Sequence, residues 1–295
     1  MALNHGYAYV ARVGPEAAGH GLASYLAARW PHTTREAWES RIGAGLVLLD
    51  GVAAAAATPL RAGQTLTWQR PAWNEPDAPE SFAVVYRDTD LLAVEKPAGL
   101  PTLPGAGFLE RTLLFLVQAH DPQAVPLHRL GRFTSGLVLF ARTPMARVRL
   151  SRGWSAVEKR YRALAAGIPA RDPFVIDAPI GPVPHPLLGS VHGASAQGRP
   201  SRSEVTVLEQ RQDAFLCDVR IFTGRPHQIR IHLAAAGHPL VGDPLYGVGG
   251  LPLQHPGLPG DPGYLLHAAE LRLTHPQSGE PLRLHCTPPR SLQGK

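Results

Sequence analysis

The chain has 295 residues, 44% hydrophobic and 18% charged, a balance that excludes a chain too polar to bury a core and predicts about two globular domains. No stretch reaches the roughly 20 apolar residues that span a bilayer; the first twenty residues carry no secretory pattern, and Cys217 and Cys286 offer neither paired metal spacing nor a disulfide framework, so a cytoplasmic protein is expected. Against 23 Asp plus Glu stand 29 Lys plus Arg, for a net +6, with Lys only at 96, 159 and 295; an Arg excess suits a polyanion, although base composition that raises Arg, Ala, Gly and Pro together explains the same bias.

In chain order, Leu22, Tyr25, Leu26 and Trp30 recur at helical spacing, and Thr33 or Thr34 caps a second helix bearing Trp38 and Ile42 on one face. Leu46 to Leu49 is a short apolar run, Asp50-Gly51 signals a tight hairpin, and Leu60 to Leu66 reads as a turn into a strand. This order resembles the S4 RNA-binding domain, which implies an RNA-facing edge at Arg35 and at Gly45 to Gly51; an αα hairpin plus β-hairpin without a ligand fits the same periodicity. Residues 71–82, rich in proline, read as a linker between an S4-like domain at 1–70 and a larger domain at 83–289, with 290–295 a tail.

The larger domain is expected to be mixed α+β. Strands are predicted at Ala83 to Tyr86, Leu91 to Val94, Leu137 to Ala141, Tyr161 to Ala165, Ser203 to Leu208, Phe215 to Phe222 and Leu271 to Leu273. Helices are predicted at Glu110 to His120, Pro144 to Trp154 and Gln228 to Ala236. Gly247 to Gly263, rich in Gly and Pro, reads as a surface loop.

Four segments carry chemistry that packing alone explains badly. Leu127 to Ala141 is a basic, Gly-punctuated loop delivered by an apolar strand, the kind of place where sites sit. Lys159 and Tyr161 alternate onto one face of a strand. Thr223 to Leu233 sets Arg and His beside glycine and leads to Gly237 to Gly247. Leu266 to Ala268 with His275 to Glu280 also reads simply as a final strand and turn. His227 and His232 lack a third ligand in register, Ser135 is not in a nucleophile elbow, and no phosphate-binding glycine loop occurs, so no metal, hydrolase or nucleotide cofactor is expected.

Together these segments resemble the RluA-type RNA pseudouridine synthases over most of residues 80–289. Lys96 to Gly99 matches the family's Lys-Pro-x-Gly, His128 to Gly136 its His-Arg-Leu-Asp-x-x-Thr-Ser-Gly loop, Lys159 to Ala163 its Lys-x-Tyr-x-Ala strand, and Gly198 to Ser203 approximates a further segment. Thr223 to Leu233 carries every defining residue of Thr-Gly-Arg-x-His-Gln-Ile-Arg-x-His-Leu. The resemblance implies a largely antiparallel pseudouridine synthase fold and isomerisation of a flipped-out uridine in ribosomal or transfer RNA, without cofactor, metal or membrane. It implies that Tyr161 stacks on the uracil, Arg129 holds the flipped conformation, Arg230 pairs with the catalytic carboxylate, and Arg225 and Gln228 position substrate. His128, Thr134, Lys159 and His227 join the substrate-binding set by the same resemblance.

At the family's catalytic Asp this chain has Gly131, which can neither take a proton nor attack. Three readings follow: an active synthase whose carboxylate comes from elsewhere, with Asp90, Glu95 and Asp243 as candidates; an inactive RNA-binding or assembly factor; or an enzyme acting on a different base or glycosidic substrate. Arg230 without an anion would be a buried unpaired cation, so something negative is expected beside it.

Overall fold

The computed structural model describes residues 2–294 and divides them into two compact units, Met1–Pro76 and Asp77–Lys295. In the first, the helices Leu22–Arg29 and Arg35–Gly43 pack their apolar faces on an antiparallel sheet, burying Leu22, Leu26, Trp38, Ile42, Val47 and Leu60. The second helix starts where a hydroxyl cap allows it, Thr34 accepting from the Ala37 amide at 3.3 Å. Asp50 and Gly51 both take positive φ and close the hairpin between Val47–Leu49 and Val52–Ala53, as the sequence predicts.

Two features of this unit carry no strong sequence signal. Tyr7–Arg12 forms an edge strand on Thr65–Arg70, and because it is mostly exposed it lacks the alternation that would reveal it. Within the proline-rich segment, Asn74–Glu75 pairs with Ala2–Leu3, and Asn4 donates to Glu75 at 2.8 Å, so that stretch is partly ordered sheet.

The second unit is built on a ten-stranded sheet. Its pairings are antiparallel except one, in which Ser135–Ala141 runs parallel to Leu266–Thr274 through Ser135 opposite His267 and Gly136 opposite Ala268. The segment read as a final strand is thus a central one: Leu266–Thr274 also pairs with Glu158–Ala166 and Pro281–His285. Gly136 permits this approach, since a β-carbon there would lie 2.3 Å from the Ala268 carbonyl oxygen.

The predicted helices occur as Leu113–Gln118, Pro144–Gly153 and Gln228–Ala235, the first two capped by Thr112 and Thr143. The expected tail is docked, with Leu292 buried and its carbonyl accepting from Arg162 at 3.3 Å. No described helix is long and apolar enough to cross a membrane.

Candidate active site

Lys96 is the anchor of the site loop. Its buried ammonium donates to the carbonyls of Pro97, Leu100 and Arg132 at 2.9, 2.7 and 2.9 Å, and the Gly99 amide, in a left-handed conformation that glycine permits, donates to Arg132 as well. Burial, then the Arg132 guanidinium, lowers the Lys96 pKa to about 7. Thr102 brackets Leu130, donating to its carbonyl and accepting from its amide. Residues 129–134 are thereby held as a rigid turn, closed by the Thr134 amide on the Gly131 carbonyl at 3.1 Å.

Beside that turn, Glu158–Ala166 alternates half-buried and buried residues, which puts Lys159 and Tyr161 on one face as expected. A register shift between Arg160 and Tyr161 sets Tyr161 opposite Ala268. The helix Gln228–Ala235 begins at His227, at φ 55°, and carries Arg230. Arg129, Leu130, Gly131, Thr134, Tyr161, Ile221, Arg225, His227, Gln228, Ile229, Arg230, Tyr264 and Leu266 line one cavity of about 110 Å³, the volume of roughly four water molecules in the liquid and on the scale of one pyrimidine ring.

Arg230 has the anion that its burial demands. Asp243 accepts from Nε at 2.7 Å and from Nη2 at 2.6 Å, while the Pro259 carbonyl accepts from Nη1 at 3.1 Å. The guanidinium also lies 4.1 Å from the Tyr264 ring centre and 5.1 Å from that of Tyr246. Asp243 in turn accepts the Leu245 and Tyr246 amides, so both its oxygens are committed to holding structure. Pro259 belongs to the Gly- and Pro-rich stretch read as a surface loop, which therefore supplies part of the site.

His227 Nδ1 lies 2.8 Å from the Tyr246 hydroxyl, and that hydroxyl donates its proton to the His192 carbonyl at 2.6 Å. The imidazole must then donate through Nδ1, leaving Nε2 an acceptor. Burial, then Arg230, pushes its pKa down to about 3, while burial pushes the Tyr161 phenol up to about 12. Both are neutral near pH 7. Arg225 Nε is buried with no hydrogen-bond partner among the described residues, a donor left for a ligand.

The remaining expected residues divide differently. Gln228 spends its amide inside the protein, accepting from Thr223 Oγ1 and the Arg225 amide and donating to Arg202 O and Ser203 Oγ, so it holds the Thr223 to Arg225 turn. His128 and Lys159 do not line the cavity. His128 Nε2 accepts the Leu139 amide and its ring stacks on Trp154, with burial, then Lys159, lowering its pKa to about 3; Lys159 donates to the Trp154 and Val157 carbonyls. Arg35, at the first turn of its helix in the other unit, is exposed and paired with Glu39 at 2.8 Å.

Of the candidate carboxylates, Asp90 accepts from Thr143 at the far end of Ser135–Ala141 from Gly131, and Glu95 lies against Cys286 and His267. Neither lines the cavity. Tyr264 and Ile221 lie outside the flagged segments, while Leu130, Ile229, Tyr246 and Leu266 fall inside them without an expected role. Tyr264 stands just before the flagged Leu266 to Ala268 segment, where no periodicity marks it.

The family model described as RNA pseudouridylate synthase matches residues 90–235. An uncharacterized RNA pseudouridine synthase of Synechocystis sp. is 40% identical over 276 residues, 92% of this chain and 95% of that one. A ribosomal large subunit pseudouridine synthase D of Xanthomonas campestris pv. campestris is 35% identical over 295 residues, covering 94% and 88%. The solved structure of human RNA pseudouridylate synthase domain containing 1 superposes with a TM-score of 0.55 at 27% identity, over 75% of this chain and 89% of that one.

Proposed function

The chain belongs to the RNA pseudouridine synthase family, whose members are isomerases, and we propose that its substrate is a uridine in folded ribosomal RNA, flipped into the cavity between Tyr161 and Arg230. The observation that carries this reading is the convergence on one base-sized cavity of an aromatic face at Tyr161, rim cations at Arg129 and Arg225, and the unpartnered Arg225 Nε. Such a cavity can stack a base, grip the phosphates around it and offset the few kcal/mol of unstacking. The S4-like unit supplies a second RNA grip through Arg35 and the Gly45 to Gly51 hairpin.

In this reading Tyr161 is the stacking platform, Arg129 holds the extruded backbone, Arg225 binds the base or its phosphate, and Asp243 positions Arg230. Ribosomal RNA is preferred because a relative similar over most of both chains bears a ribosomal large-subunit name. Gly131 favours one second reading, an RNA-binding protein without turnover on the same scaffold.

Pseudouridine mapping of total RNA from cells with and without the gene separates the two. A site that disappears on deletion and returns when the purified chain acts on unmodified transcript establishes the synthase. Salt-sensitive binding with no lost site establishes the binding protein.

A further inference from the structure

The phenol oxygen of Tyr264 stands beside the place of the missing carboxylate. A β-carbon built on Gly131 would lie 3.1 Å from the hydroxyl oxygen of Tyr264 and 3.4 Å from Thr134 Oγ1. An aspartate oxygen reaches roughly 2.4 Å beyond its β-carbon on standard bond lengths, so a carboxylate at 131 would stand beside the phenol oxygen of Tyr264, and the phenol reaches the region a carboxylate at 131 would serve. Gly131 itself has no positive φ, so its backbone does not demand glycine. A side chain here would sit tightly against the phenol.

Tyr264 is built for more than filling. It is buried, yet it lines the same cavity as Tyr161 and Arg230. Its hydroxyl is loosely engaged: the contact with Thr134 Oγ1, at 3.4 Å, is long for an O–H···O bond. Its ring lies 4.1 Å from the Arg230 guanidinium, a fixed cation that favours negative charge developing on the phenol oxygen during reaction. Asp243 cannot offer the same chemistry, because both its oxygens are committed to Arg230 and to two amides.

Resting on the synthase reading above, we infer that Tyr264 is the catalytic residue of this chain, its phenol oxygen acting where the family uses a carboxylate. Tyrosine is competent for this, since it is the nucleophile at an anomeric carbon in sialidases. The oxygen bonds to C1′ of the flipped uridine as the N1–C1′ bond breaks. The electron pair of that bond leaves on the ring, and the phenol proton passes to the uracil, which is held as the neutral base. After the ring turns, C5 attacks C1′, the bond between C1′ and the phenol oxygen breaks with its pair returning to oxygen, and the proton lost from C5 restores the phenol. One proton leaves Tyr264 and one comes back, so the step is a balanced isomerisation that consumes nothing.

The test uses the full chain on the transcript found by mapping. Tyr264→Phe is expected to bind that RNA and melt as the parent does, while single-turnover pseudouridine formation falls by at least the factor of about 10² to 10⁴ typical of a lost proton-transfer group. A fluorotyrosine placed at 264 is expected to move the pH–rate profile in step with its more acidic phenol. Arg129, Arg225, Arg230, His227 and Tyr161, which share the cavity, are unchanged between the two proteins. Turnover by Tyr264→Phe within an order of magnitude of the parent overturns the assignment. A fluorotyrosine profile that does not move also overturns it, because a ring that only supports Arg230 would behave that way. A parent that turns over no RNA overturns the synthase reading and this one with it, whereas an active parent beside an active Tyr264→Phe overturns this one alone.

Discussion

Asp243 holds Arg230 by both carboxylate oxygens, at 2.6 and 2.7 Å, with side chains only 1% and 3% exposed. Removing one partner of such a pair strands the other charge in the interior, where breaking a buried pair costs about 3–5 kcal/mol. Asp243→Asn is therefore expected to lower the denaturant midpoint sharply and to lose activity together with stability. Parallel unfolding and activity curves check this, and Tyr264→Phe should separate the two losses.

Gly131→Asp brings a side chain up against the Tyr264 hydroxyl. Its β-carbon would lie 3.1 Å from the Tyr264 hydroxyl, closer than ordinary packing. The expected result in the parent is reduced stability, by the roughly 1–3 kcal/mol typical of overpacking. The same change combined with Tyr264→Phe, where the hydroxyl is gone, should melt closer to the parent than Gly131→Asp alone. Calorimetry on the three variants reads the difference.

Lys96 satisfies three loop carbonyls with one buried ammonium. Lys96→Met leaves the Pro97 and Leu100 carbonyls without that donor, at about 1–3 kcal/mol each, while the Arg132 carbonyl keeps the Gly99 amide. A loss of at least about 2 kcal/mol is expected. Hydrogen exchange should also quicken at Leu130 and Thr134, whose amides are bonded within this assembly.

Two imidazoles make stability depend on acid. His128 and His227 each sit at about 3 in the folded chain, lowered chiefly by burial, against about 6.5 when unfolded. Between those values the unfolded chain binds protons that the folded chain refuses. The stabilisation is thus complete above pH 6.5 and is lost as pH falls toward 3, at up to about 1.4 kcal/mol per pH unit for each histidine. Urea melts from pH 7 to 4 should show this slope, and His128→Gln should flatten it.

Arg129 is exposed at the cavity rim, where salt would screen a contact with an RNA phosphate. Arg129→Gln is expected to weaken RNA binding at low salt and to reduce the slope of log K against log salt by about 0.7 to 0.9. Filter binding across a salt series measures it.

Much of this site is local in sequence. The Lys96, His128, Lys159 and Thr223 segments are dense in charge and glycine at the ends of apolar runs, and such density is legible because strands deliver loops to one rim. What each residue does there is less so. Gln228, His128 and Lys159 look like ligands in the sequence but spend their polar atoms on backbone or neighbouring side chains, a matter of which carbonyl happens to lie within reach. Tyr264 is illegible for the opposite reason: its place opposite Gly131 depends on the parallel pairing of Ser135–Ala141 with Leu266–Thr274, and nothing near residue 264 encodes a partner 133 positions away.

That pairing also sets an order of events during synthesis. Thr134 meets Tyr264, and Ser135 meets His267, only when a chain segment more than a hundred residues later has joined the sheet. Contacts of such separation form slowly, and a growing chain folds from its N-terminus as it emerges. A nascent chain can thus present the Lys96-anchored turn and the Tyr161 strand long before it has a closed cavity. The cavity closes only once Tyr264 and Leu266 have been made, and any truncation ahead of residue 264 leaves an open half-site.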